Sequence, residues 1–194
     1  QTTHPDACGG TITETWTIPS ATNCGRGDVV HSRTITVSPA AIPTMTAPAD
    51  ITVACGAIPT ASTLPFTNGL SGGCELSGNS LNSTFTTTPD ACGGTVTQTW
   101  TATDACNRAL VSVSRTITVS PAALPTMTAP ADITVACGAI PAASTLPYTN
   151  GLSGGCELSG NSLNSTFTTT PDACGGTVTE TWTATDACNR ALAS

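Results

Sequence analysis

The chain of 194 residues contains no lysine, and charged residues make up only 9% of it. Five arginines against twelve carboxylates leave a net charge of −7, so no basic surface is available to neutralise phosphates. That excludes nucleic-acid binding and attraction to an acidic bilayer as leading functions. Aromatic residues are equally scarce at 4%, so each globular unit has little with which to build a core. No apolar run approaches the ~18 residues of a membrane helix, which argues against a membrane span. The only two histidines, His4 and His31, fall where the repeats described below carry Thr88 and Val113. Catalytic constellations that need histidine therefore have no support, and no catalytic residue, cofactor or metal is expected.

Threonine, by contrast, accounts for 40 residues, and there are 18 Gly, 14 Pro and 10 Cys. The closest two cysteines are fourteen positions apart, which does not fit the CxxC spacing of zinc sites. Disulfides formed in an oxidising, extracellular compartment are the better account.

Residues 43–112 align without gaps to residues 125–194, and only Thr60/Ala142, Phe66/Tyr148, Gln98/Glu180 and Val111/Ala193 differ. The period is 82 residues, long enough for one small domain per repeat. A more divergent copy of the second half of the unit opens the chain: Cys8–Trp16 matches Cys92–Trp100, and Ser32–Ala41 matches Ser114–Ala123. The reading gives a partial repeat over 1–42, a complete repeat over 43–124, and a repeat over 125–194 that lacks its last strand.

Over Thr95–Thr103 every odd position is Thr, while Val96, Gln98, Trp100 and Ala102 share the other face; Val113, Arg115, Ile117 and Val119 alternate likewise. Two strands follow. A hairpin turning at Cys106–Asn107 sets Trp100 against Val113, Gln98 against Arg115 and Val96 against Ile117, and in the first partial repeat Glu14 against Arg33. Asp50–Ala54 and Ser83–Thr88 read as further strands, and no helical period appears. Turn dipeptides such as Asn68-Gly69 and Gly93-Gly94 punctuate an antiparallel sandwich. Three prolines within Ser120–Pro130 predict a stiff joint between repeats.

The segments ADITVACG (Ala49–Gly56, Ala131–Gly138) and CGGTVTQTWTATDAC (Cys92–Cys106), followed by SRTITV, resemble the hyalin-repeat-like immunoglobulin-type modules of Bacteroidota surface adhesins. The resemblance implies an all-β fold of tandem, disulfide-stabilised immunoglobulin-like β-sandwiches, at the cell surface or in a secreted filament, without catalytic residues. The family pattern usually continues Asp-Ala-Cys-Gly-Asn; here Asn107-Arg108 follows Cys106.

Four cysteines per repeat allow three pairings. Cys92 and Cys106 flank a straight strand and lie too far apart to bond each other. If the ends of the DITVA and Trp strands share one pole of a sandwich, Cys55–Cys106 with Cys74–Cys92 is favoured, and likewise Cys137–Cys188 with Cys156–Cys174. Cys8 and Cys24 are then left without partners in the chain. Their presence is consistent with a window on a longer array, or with ends completed by a neighbouring copy through strand exchange, making the chain its own partner.

Three surface features complete the reading. Arg26-Gly27-Asp28 is an adhesion-type triplet in the lengthened first hairpin, and equally a normal turn composition. Asn82 and Asn164 head N-glycosylation sequons. Glycans or cell-surface receptors are thus alternative partners. Recurring carboxylates at Asp50, Glu75, Asp90 and Asp104 suit turn capping better than calcium, and Trp16, Trp100 and Trp182 are expected as core pins.

Overall fold

A computed structural model describes residues 5–22, 24–168 and 173–192. Among these the chain is all-β, with no α-helix and only two single-turn 3₁₀ segments, Gly72–Cys74 and Gly154–Cys156. The strands are β1 (Gly10–Ile18), β2 (Val29–Val37), β3 (Thr44–Met45), β4 (Ile51–Val53), β5 (Pro65–Thr67), β6 (Ser77–Asn79), β7 (Thr84–Phe85), β8 (Gly94–Trp100) and β9 (Val113–Val119). They continue with β10 (Thr126–Met127), β11 (Pro147–Thr149), β12 (Ser159–Asn161), β13 (Thr166–Phe167), β14 (Glu180–Thr181), β15 (Ala184–Thr185) and β16 (Ala191–Leu192). No helix among the described residues is long and apolar enough to cross a membrane.

Several small sheets result. β1 and β2 form a nine-residue antiparallel hairpin in which Trp16 stands opposite His31, Ile12 opposite Ile35 and Glu14 opposite Arg33. This is the register that the alternation requires. Glu14 and Arg33 are joined by an ion pair of 2.6 Å. β7 pairs with β8 antiparallel, and β4 pairs with β9 in parallel, Ile51 opposite Ile117. β9 lies between β4 and β8 in a four-stranded sheet. Along β8 the inward face of Val96, Gln98 and Trp100 is buried while the threonines between them are not, as the period of two dictates.

By contact density the chain divides into two compact units that cut across the repeat boundaries. The first comprises Gln1–Ala49, Thr60–Phe85 and Gln98–Arg115; the second comprises Asp50–Pro59, Thr86–Thr97 and Thr116–Ser194. β8 and β9 each contribute residues to both. The core of the first is Met45, Phe66, Trp100, Ala102 and Leu110, against which Leu64 and Val113 pack. Trp100 is 1% exposed, and its indole N–H donates to the Ser62 carbonyl at 2.9 Å. Gln98, fully buried, donates to Ser83 Oγ at 2.7 Å and accepts from Arg115 Nε at 2.9 Å, so its burial leaves no amide atom stranded. The second unit has a smaller cluster of Ala91, Ala122 and Leu158, to which Cys55, Cys156 and Cys188 add their sulfurs. Cystine here replaces the aromatic residues that the composition lacks.

The strand pattern of the first full repeat is not reproduced throughout the second. Residues 131–136 repeat the ADITVA of β4 but form no strand, leaving Ile133 68% and Val135 42% exposed. β4 is held by β9, whereas among the described residues no strand pairs with 131–136. Ser83–Thr88 narrows to the two residues of β7. Trp16, expected as a core pin, is 53% exposed and instead carries the Arg33 guanidinium 5.6 Å over its ring.

Candidate functional site: the clamp between successive repeats

The motif Pro-Asp-Ala-Cys-Gly-Gly folds into the same tight turn wherever it is described. Asp6 Oδ1 accepts from the Cys8 N–H, and Asp90 Oδ1 from the Cys92 N–H, both at 2.8 Å. The glycine that follows has positive φ and presses against the Ser-Pro-Ala-Ala joint: a Cβ on Gly93 would sit 2.6 Å from the Val119 carbonyl oxygen and 2.8 Å from Pro121 N. Gly9 makes the same approach to Val37 and Pro39. Only glycine allows this contact. The joint answers with a backbone hydrogen bond, Ala40 N to Ala7 O and Ala122 N to Ala91 O, each 2.8 Å.

The second half of the clamp comes from the next repeat. In Asp104-Ala-Cys-Asn-Arg108 the Asp104 side chain is inaccessible to solvent and accepts from the N–H groups of Cys106 and Arg108 at 2.8 and 3.0 Å. Arg108 Nε returns to Asp104 Oδ2 at 2.8 Å, and its Nη1 donates to the Ala40 carbonyl at 2.8 Å. One repeat later the constellation recurs with Asp186, Cys188 and Arg190, whose Nη1 donates to the Ala122 carbonyl at 2.8 Å. Burial alone would raise the pKa of Asp104 and Asp186. The hydrogen bonds from the backbone and guanidinium of Arg108 and Arg190, with those from Cys106 and Cys188, outweigh it and hold both carboxyls below the usual range.

Disulfides close the clamp. Cys8 bonds Cys106, Cys92 bonds Cys188 and Cys55 bonds Cys156, at sequence separations of 98, 96 and 101. Every one exceeds the 82-residue period, so every bond joins one repeat to the next. This overturns the expected pairs Cys55–Cys106, Cys74–Cys92, Cys137–Cys188 and Cys156–Cys174, and Cys8 is no orphan. The physical reason lies in the turns: the Asp-capped turn of Cys8 or Cys92 is pinned on the joint, and the next repeat's arginine turn is pinned on that same joint. The two sulfurs therefore meet there. Cys24, Cys74 and Cys137 are free, exposed thiols, and Cys174 is exposed.

The other candidates take structural places. Asp28 Oδ1 accepts from the Ser20 N–H at 2.7 Å and closes the hairpin loop that carries exposed Arg26 and Gly27. Asn82 and Asn164 are exposed, whereas the serines of their sequons are buried and bonded: Ser83 Oγ accepts from Ser62 N at 3.1 Å and Ser165 Oγ from Ser144 N at 3.0 Å. Asp50 Oδ1 caps the Thr116 N–H at 2.7 Å, and Glu75 accepts from Ser77 Oγ at 2.9 Å, so these carboxylates serve turns and strand ends. His31 lies on β2 opposite Trp16, while His4 falls outside the described residues. Sequence reasoning missed the roles of Arg108 and Arg190. The signal was present as the one step where the chain departs from the Asp-Ala-Cys-Gly-Asn pattern.

No protein-family model, curated protein or solved structure gives a significant match to this chain.

Proposed function

We propose that this chain is a structural, non-catalytic segment of an extracellular bacterial fibre or adhesin, built of tandem immunoglobulin-like β-sandwiches that repeat every 82 residues. The observation that carries the reading is that each disulfide ties one repeat to the next. A protein that bears load along its length gains from such stitching a covalent limit on how far it can be drawn out. Cystine formation fits an oxidising compartment outside the cytosol. The clamp at each joint supports stiffness: two hydrogen bonds, a glycine contact and a disulfide converge on Ser-Pro-Ala-Ala, leaving little freedom for a hinge.

A self-partnered fibre of such repeats is the form we favour. Exposed Asn82 and Asn164 suit glycan attachment on a surface poor in charge. Receptor binding through Arg26-Gly27-Asp28 is the competing reading, but the Asp28 carboxylate already closes its own loop.

Electron microscopy of native material tests the proposal. Long, narrow, regular filaments are expected. Dispersed particles that bind cells, and lose that binding on Asp28→Ala, overturn it in favour of a receptor ligand.

A further inference from the structure

The three disulfides merge six cysteines into three covalent junctions: Cys8 with Cys106, Cys55 with Cys156, and Cys92 with Cys188. Five stretches of backbone run between these junctions. Residues 8–55 and 106–156 both join the first junction to the second, residues 55–92 and 156–188 both join the second to the third, and residues 92–106 return from the third to the first. Hydrolysis of a peptide bond adds one water, leaves a carboxyl and an amine, and does not touch a cystine. Isolating the first or the third junction takes a cut in three different stretches, and isolating the second takes four. We propose that the cross-linked chain is a tether that endopeptidases can nick but not part: after any two cuts between them, Cys8 and Cys188 remain in one covalent molecule. This holds whether or not copies assemble, and so goes beyond the fibre reading.

The basic residues stand where cutting does least harm. There is no lysine; Arg26 and Arg33 lie in 8–55, Arg108 and Arg115 in 106–156, and Arg190 follows Cys188. The two stretches that contain them are duplicates of one another, since both join the first junction to the second. Cleavage after every arginine opens both and releases residues 27–33 and 109–115, which hold no cysteine. Fragment 34–108 nevertheless keeps 1–26 through Cys8–Cys106, and keeps 116–190 through Cys55–Cys156 and Cys92–Cys188. An endopeptidase specific for basic residues therefore cannot separate Cys8 from Cys188 even at complete digestion.

Burial guards the stretch that has no duplicate. Residues 92–106 are β8 and its continuation, in which Val96, Gln98, Trp100, Ala102 and Asp104 are buried, and β7 and β9 are hydrogen-bonded on either side of β8. A protease draws an extended segment into its cleft, so a paired strand must open before it can be cut, whereas exposed loops are cut first. Open segments lie in duplicated stretches: Arg26 and Gly27 are exposed in the hairpin loop closed by Asp28, and residues 131–136 are exposed and form no strand. Bonds confined to each repeat, such as Cys55–Cys106 and Cys137–Cys188, would leave residues 107–136 as a single path, and one cut at 131–136 would part the chain. Stitching between repeats removes that weak point.

The test is digestion of the unreduced chain after its accessible thiols have been alkylated. With trypsin in urea, release of residues 27–33 and 109–115 marks completion, and the rest is expected as one species that a reductant splits into 1–26, 34–108 and 116–190. Cys8→Ser with Cys106→Ser should shed 1–26 without reductant while the other two fragments stay joined. Cys55→Ser with Cys156→Ser should still hold all three together, because Cys92–Cys188 remains. With the folded chain and a protease of broad specificity, the first cuts are expected in the Arg26 loop and at 131–136. Fragments 34–108 and 116–190 that come apart before reduction, or a first cut within 92–106, overturn the proposal. Filaments in the microscope together with separating fragments would keep the fibre and remove the tether; dispersed particles with joined fragments would do the opposite.

Discussion

Pulling the chain from its two ends converts its disulfide pattern into a length. Without cross-links, 194 residues at ~3.5 Å each extend to roughly 680 Å. With them, the shortest covalent path runs from residue 8 across the bond to Cys106, back through fourteen residues to Cys92, and across to Cys188. Adding the two short tails leaves 27 residues of backbone and two bridges whose Cα atoms are 5.2 and 5.3 Å apart. That amounts to a limit of about 100 Å. In optical-tweezers extension with Cys24, Cys74 and Cys137 alkylated beforehand, the oxidised chain should yield little beyond this length. A reductant should release several hundred ångströms more. The double variant Cys92→Ser with Cys188→Ser lengthens the path to 95 residues, an expected limit of about 330 Å. Cys55→Ser with Cys156→Ser removes a disulfide that is not on the path and should leave the limit at about 100 Å. Pairing within repeats, Cys55–Cys106 and Cys137–Cys188, would instead give roughly 320 Å for the unmodified chain. A measured limit near that value refutes the reasoning.

Other consequences of the clamp are measurable by denaturation. Arg108→Ala removes the charge-assisted bond to the Ala40 carbonyl, worth about 1.5–3 kcal/mol, and Arg108→Lys should recover only part of it because one ammonium cannot serve Asp104 and Ala40 as the fork does. Gly93→Ala forces a Cβ onto the Val119 carbonyl at φ 77° and should cost more than the ~1–2 kcal/mol of the left-handed backbone alone; Gly73→Ala, with nothing within 4 Å, should cost less than about 1 kcal/mol. Because Asp104 and Asp186 have depressed pKa values when folded, their contribution is complete above the unfolded value of about 3.9. Stability should therefore be level from neutral pH down to that region and fall as acid protonates them in the folded chain. Asp104→Asn with Asp186→Asn should flatten that acid limb, and an unchanged limb would remove these carboxyls from the account.

Alternation of Thr with Val, Gln and Trp was enough to place β8 and β9, and in the first hairpin the register with its Glu14–Arg33 pair, because burying one face of a strand fixes every residue on it. The hydroxyl-rich outer face and the capping role of the recurring aspartates were legible for the same local reason. What a single repeat could not reveal was which copy of a motif meets which. Cys92 and Cys174 have identical sequence for five positions on either side, and so do Cys106 and Cys188 for four. Only the packing of the Asp-capped turn and the arginine turn on one joint decides that Cys92 bonds Cys188. Trp16 and Trp100 illustrate the same limit, since one motif gives an exposed indole in one place and a buried one in another according to the segment packed beneath it.

The stitching of repeat to repeat is tested most directly by mapping disulfide-linked peptides from unreduced protein. The repeats label their own cysteines, because Thr60/Ala142, Phe66/Tyr148, Gln98/Glu180 and Val111/Ala193 give neighbouring peptides different masses. Cys8–Cys106, Cys55–Cys156 and Cys92–Cys188 are expected in the monomer. Recovery of Cys55–Cys106 and Cys74–Cys92 in their place would confine every bond to its own repeat and contradict the account.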